Sequence, residues 1–133
     1  MTPISELNVE IFADGADIDG ILEMTTNPLI KGFTTNPTLM RRAGVSDYEV
    51  FARDVLEVVA ELPVSFEVFA DDFDEMMNQA LEIASWGSNV NVKIPITNTK
   101  GESSADLVER LSKSGVSVNV TALMELSQVE TVV

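Results

Sequence analysis

In four short segments of this chain, apolar residues take every second position and polar residues fill the positions between them. Val64, Phe66 and Val68 alternate with Ser65 and Glu67, and Val90, Val92 and Ile94 with Asn91 and Lys93. Val116, Val118 and Val120 alternate with Ser117, Asn119 and Thr121, and Val9, Ile11 and Ala13 with Glu10, Phe12 and Asp14. A period of two is the signature of a β-strand whose two faces meet different surroundings. The predicted strands are 8–14, 64–69, 90–95 and 116–121. A shorter one, 32–36, carries Thr34 and Asn36 on one face. In an open doubly wound sheet helices cover both faces, so both should be apolar. Here one face is polar, and its polar residues gather at the C-terminal ends of the strands. A β/α barrel satisfies that pattern: the apolar face meets an outer layer of helices and the other lines the interior.

Helical patterns lie between the strands, and their ends are marked. Ser46-Asp47-Tyr48-Glu49 predicts a capping box with Ser46 as the cap, followed by Tyr48, Phe51, Ala52, Val55, Val58 and Val59 on one face. Asp72 to Glu75 predicts an acidic helix start, with Gly87 as its stop. A third helix around 105–113 ends at Gly115. Twenty-six positions separate Glu67 from Lys93, and again Lys93 from Asn119. Short connections in strand–helix–strand order imply parallel pairing through right-handed crossovers. The sequence Thr-Thr-Asn-Pro occurs at both 25–28 and 34–37, a local duplication with no larger repeat around it.

Composition removes several function classes. The chain of 133 residues has 8 Lys+Arg against 22 Asp+Glu, a formal net charge of −14, with 45% hydrophobic residues. That hydrophobic content suits a folded domain, and the acidity opposes binding to nucleic-acid phosphates or anionic membranes. Cysteine and histidine are both absent, which excludes disulfides, thiolate and imidazole metal sites, and Ser–His catalysis. No run of about eighteen apolar residues is present, and the N-terminus lacks the basic start of a signal peptide. The expectation is a cytoplasmic protein without a metal or cofactor.

In a barrel, Asp14, Thr34, Asn36, Glu67, Lys93, Asn119 and Thr121 would converge at the C-terminal ends of the strands, where barrel active sites lie. Each residue alone could be a strand end meeting water; seven agreeing in parity and position favour a site. Lys93, between Val92 and Ile94, is the chemically distinctive member. A lysine aimed into a confined interior is costly unless paired or deprotonated. Burial favours its neutral amine, a nucleophile that forms a Schiff base with a carbonyl. Carboxylates at Glu67 or Asp14 would instead make it a buried ion pair, so the residues leave both readings open.

Five motifs in order, Ile11-Phe12-Ala13-Asp14, Gly32-Phe33-Thr34-Thr35-Asn36-Pro37-Thr38-Leu39, Ser65-Phe66-Glu67-Val68, Asn91-Val92-Lys93-Ile94-Pro95 and Asn119-Val120-Thr121, span nearly the whole chain. In them it resembles the transaldolases, especially the small members that include fructose 6-phosphate aldolase. The resemblance implies a TIM (β/α)8 barrel, with Lys93 forming a Schiff base with a ketose phosphate donor. It further implies Asp14 as acid/base for carbon–carbon cleavage and Glu67 as the residue positioning a catalytic water. Thr34, Asn36, Asn119 and Thr121 would bind donor hydroxyls and that water. A dihydroxyacetone unit would then pass from fructose 6-phosphate or sedoheptulose 7-phosphate to an aldose phosphate. Aldolase members of the family carry glutamine at the Glu67 position, so glutamate favours transaldolase. The alternatives are a fructose 6-phosphate aldolase-like enzyme and a non-catalytic half-barrel.

Two departures stand out. Gly15 follows Asp14 where the family usually has threonine. The chain also supplies five strands of a barrel that needs about 200 residues or more, and it stops within the apolar pattern Leu123, Leu126, Val129, Val132. Residues 1–133 are therefore read as the N-terminal portion of a single barrel domain, short of the family's phosphate-binding serine and arginine. Unpaired strand edges in such a chain predict association into a homo-oligomer.

Overall fold

The computed structural model describes residues 3–133. Two units divide the chain, the first running to Ser65 and the second comprising Phe66–Val133. Both are built from parallel strands alternating with helices.

The first unit opens with a 3-10 turn (Ile4–Glu6) and continues through β1 (Ile11–Asp14), α1 (Ile18–Thr25), β2 (Ile30–Thr34), α2 (Pro37–Arg42), α3 (Tyr48–Val58) and the first half of β3 (Val64–Glu67). β1 pairs in parallel with β2, Phe12 opposite Gly32 and Asp14 opposite Thr34. β2 pairs in parallel with β3, Phe33 opposite Val64 and Thr34 opposite Ser65. The core contains Ile21, Phe33, Phe51, Ala52, Val55 and Val64, all buried, and α1 packs against α3.

Several boundaries differ from the sequence reading. β1 begins at Ile11 because its partner β2 begins at Ile30, so Val9 lies before the strand and is 67% exposed. β2 ends at Thr34, and Asn36 leaves the sheet to cap α2, accepting from the Leu39 N–H at 2.9 Å. Pro37, with its fixed φ and no N–H, suits the first helical position that follows. The cap of α3 is Asp47, not Ser46: its carboxylate accepts from the Val50 N–H at 3.0 Å. Both residues are good caps; the start at Tyr48 is the one that turns Phe51, Ala52 and Val55 into the core. Gly32 in β2 answers a close approach: a Cβ there would lie 2.5 Å from the Phe12 ring and 2.8 Å from the Pro63 carbonyl oxygen.

The second unit holds the end of β3, then α4 (Phe73–Ala84), β4 (Val90–Pro95), α5 (Ala105–Lys113), β5 (Val118–Thr121) and α6 (Leu126–Val132). The Val68 N–H, just past β3, donates to the Lys93 carbonyl on β4, and β4 pairs in parallel with β5. Along β4 the expected parity holds residue by residue: Val90, Val92 and Ile94 are buried, while Asn91, Lys93 and Pro95 are half-buried. Phe66 is fully buried and meets Trp86 edge to face, ring centroids 5.9 Å apart.

Asp72 caps α4 as expected, accepting from the Asp74 and Glu75 N–H groups. That helix stops at Ala84, ahead of Gly87, because the Ser85 hydroxyl turns back to the Glu82 carbonyl. Gly115 does terminate α5, at φ 82. The apolar pattern near the chain's end forms α6, but none of that helix's residues is buried.

The strands follow one another in sequence order within each unit, every described pairing is parallel, and helices intervene. This is an α/β fold corresponding to about five β/α units of a TIM barrel. Among the described residues no helix is long and apolar enough to cross a membrane.

Candidate active site

Each unit carries one group of the residues singled out by parity. In the first, register sets Asp14 at the end of β1 beside Thr34 on β2, and the Thr34 hydroxyl donates to the Asp14 carboxylate at 2.7 Å. The Gly15 N–H donates to the Thr34 carbonyl at 3.1 Å, so the chain after Asp14 stays tied to β2. A Cβ at Gly15 would meet nothing within 4 Å, and the glycine leaves the neighbouring acid in place. Asn36 does not share this strand face, and its carboxamide oxygen is engaged by the Leu39 N–H.

In the second unit, Lys93 Nζ lies 3.5 Å from Glu67 Oε2, the two side chains 12% and 19% exposed. That pairing offsets the desolvation cost of placing a lysine on the half-buried face of β4. Asn119 lies directly opposite Lys93 in the β4–β5 register, and Thr121 lies opposite Pro95. Both are half-buried. Ala122, next in the chain, adopts φ 60, a left-handed backbone uncommon outside glycine, and turns the chain out of the strand. The structure therefore brings Asp14 to Thr34, and Glu67, Lys93 and Asn119 to one another with Thr121 two residues along. An amine beside a carboxylate, largely withdrawn from water, can add to a carbonyl and pass protons during imine formation.

The connections that follow β3 and β4 hold residues that periodicity could not reveal. Gln79 on α4 accepts from the Phe69 and Ala70 N–H groups at 2.8 and 3.0 Å. The fully buried Ser104 donates to the Pro95 carbonyl at 2.6 Å. Asn98 accepts from the Lys100 and Glu102 N–H groups at 3.0 and 2.9 Å. Asp71 accepts from both the backbone N–H and the hydroxyl of Thr99, each at 2.7 Å. The bond from the Thr99 N–H, then that from its hydroxyl, hold the Asp71 carboxyl below its ordinary range; partial burial opposes them, and the Lys100 charge adds to them. Twenty-eight positions separate the two partners, so no local signal links them. Among the described residues no group of three or more acidic side chains is placed to hold a metal ion.

Residues 11–133 match the family model described as "Transaldolase/Fructose-6-phosphate aldolase". Over 120 residues the chain is 38% identical to a probable transaldolase of Dehalococcoides mccartyi, covering 90% of this chain and 54% of that protein. Probable transaldolases of Streptococcus agalactiae and Methanococcus maripaludis are also 38% identical, each over 90% of this chain and 53% of their own length. The chain thus spans about half the length of the curated relatives it matches. Matched over nearly its whole extent, with its motifs on the strands and strand ends of a β/α fold, the chain belongs to the transaldolase/fructose-6-phosphate aldolase family.

Proposed function

We propose that the chain contributes the Schiff-base half of a transaldolase, moving a dihydroxyacetone unit between sugar phosphates as in the pentose phosphate pathway. The observation that carries this reading is the Lys93–Glu67 pair, 3.5 Å apart, Glu67 closing β3 and Lys93 within β4. The neutral Lys93 amine attacks the C2 carbonyl of a ketose phosphate, and the carbinolamine hydroxyl, taking a proton relayed through the water that Glu67 holds, leaves as water to give an iminium ion. Asp14 takes the proton of the C4 hydroxyl, the C3–C4 bond breaks, and its electrons are held as an enamine on Lys93. The released aldose phosphate departs, and the enamine carbon attacks the aldehyde of an acceptor, with Asp14 returning the proton. In this reading Glu67 holds the water of imine formation and hydrolysis. Thr34 orients Asp14, and Asn36, Asn119 and Thr121 contact donor hydroxyls. Glutamate at position 67 favours transfer to an acceptor over simple aldol cleavage. The reading treats residues 1–133 as the N-terminal portion of one barrel domain in a cytoplasmic homo-oligomer, which fits the acidic, cysteine-free composition and the terminal places of β1 and β5 in the strand order of the described residues.

Reductive trapping tests it. The chain is incubated with fructose 6-phosphate and borohydride, and the adduct is mapped by peptide mass spectrometry. A three-carbon adduct on Lys93, absent from Lys93→Arg, is the expected result. A folded sample that yields no adduct on Lys93 overturns the reading and favours a non-catalytic half-barrel. Release of glyceraldehyde 3-phosphate without any acceptor would favour the aldolase alternative.

A further inference from the structure

We propose that Asp71 and Thr99 are positioning residues that close a ring of bonds whose other end is the Lys93–Glu67 pair, and so set the direction in which the lysine amine is presented. The proposal rests on the reading of Lys93 as the Schiff-base lysine.

The ring is traced bond by bond. Glu67 meets Lys93 at 3.5 Å, and one residue on, the Val68 N–H donates to the Lys93 carbonyl at 3.2 Å. From there two connections run outward, 68–71 after β3 and 96–99 after β4. Gln79 fixes the first by its bonds to the Phe69 and Ala70 N–H groups. Ser104 fixes the second by its bonds to Pro95 and Ile96, its hydroxyl reaching the Pro95 carbonyl and its N–H the Ile96 carbonyl. Their far ends meet where Asp71 accepts twice from Thr99, each bond 2.7 Å.

The second connection also carries bonds of its own, the Thr97–Ser103 bridge and the Asn98 N–H to the Glu102 carbonyl; the Asp71–Thr99 bonds are what join it to the first. With that junction the two connections form a closed circuit, and opening a closed circuit restores chain entropy on both sides. The hydrogen-bonded Asp71 carboxyl is held below its ordinary range, so the junction keeps its charge at neutral pH. Lys93 lies at the other end of the ring, and a displacement of the order of 1 Å in a reacting group can cost about a hundredfold in rate.

Thr99→Val is the decisive change, because it removes the hydroxyl bond while keeping size and charge. A shift at Lys93 in this variant therefore comes from geometry and not from a changed field. Thr99→Ser, which keeps the hydroxyl, is the rescue control. Three readouts are taken on the same samples: amide exchange at Thr99, trapping of Lys93 by fructose 6-phosphate, and the pH profile of Lys93 methylation by formaldehyde and cyanoborohydride. The last reports the amine whether or not the sugar is a substrate.

Thr99→Val is expected to speed Thr99 exchange, slow trapping on the order of tenfold or more, and move the methylation profile of Lys93 while leaving that of exposed Lys113 in place. Thr99→Ser is expected to behave as the parent chain. Faster exchange at Thr99 with an unmoved Lys93 profile overturns the proposal and leaves the junction a purely structural tie. If the parent chain is not trapped yet its Lys93 profile moves with Thr99→Val, the donor assignment fails and the positioning role stands.

Discussion

Removing one partner of the Lys93–Glu67 pair should destabilise the chain more than removing both. At 3.5 Å and an effective dielectric near 20, the gross attraction between the two charges is about 5 kcal/mol. Withdrawing each ion from water costs several kcal/mol, so the pair as a whole contributes little net stability. The balance changes when one charge is deleted. Lys93→Met leaves a carboxylate only 19% exposed without its cation, and Glu67→Gln leaves an ammonium only 12% exposed without its anion. For fully buried pairs such orphaning costs about 3–5 kcal/mol; partial exposure here brings the expectation to about 1–3 kcal/mol for each single change. The double change removes both charges and should cost less than either single change. The measurement is a double-mutant cycle from urea unfolding at neutral pH, comparing midpoints at constant slope. A coupling of at least about 1 kcal/mol is expected. Coupling below about 0.5 kcal/mol would refute the reasoning, because the carboxylate would then not be what makes the lysine tolerable in this position.

Two further changes test the fold that carries the site. Gly32→Ala should destabilise by about 1–3 kcal/mol, measured by thermal unfolding. The Phe12 ring can swing away from the new methyl group, but the Pro63 carbonyl is backbone and holds the Phe33 N–H at 2.9 Å; an unchanged midpoint would show that β2 and β3 can part without cost. Asp47→Ala should remove about 1 kcal/mol while Ser46→Ala stays within about 0.5 kcal/mol, and the reverse order in urea unfolding would restore Ser46 as the cap of α3.

Parity was most legible where a strand is long and its faces differ. β4 has six residues with one face under helices, and its alternation fixes the orientation of Lys93 without any knowledge of neighbours. It was least legible at strand ends, because a period of two does not say where the partner strand starts. Val9 continues the apolar phase of β1 but lies beyond the start of β2 and is exposed. Asn36 continues the phase of Thr34, yet the backbone prefers to close a helix there. The two Thr-Thr-Asn-Pro copies show the same competition: Asn27 accepts from the Leu29 N–H as Asn36 does from Leu39, so both asparagines organise a turn. The helices α1 and α2, of eight and six residues, are too short for a period to stand out. The Asp71–Thr99 junction joins two loops through polar atoms, where no periodicity operates.

The two readings that the residues left open for Lys93, ion pair and nucleophile, are compatible: the structure shows the pair, and the proposed chemistry would use it. A lysine on the half-buried face of β4 needs a counter-charge to be tolerated, and in the proposed reading the carboxylate that supplies it also exchanges protons through a water during imine formation. In that reading stability and chemistry draw on one contact, so neither measurement alone identifies what the contact is for. A large coupling energy together with an adduct on Lys93 means that Glu67 serves both ends. A large coupling with no adduct means that the pair holds the fold and the Schiff-base reading falls, in favour of a non-catalytic half-barrel. An adduct without coupling means that burial of the amine, and not the carboxylate beside it, is what makes Lys93 reactive.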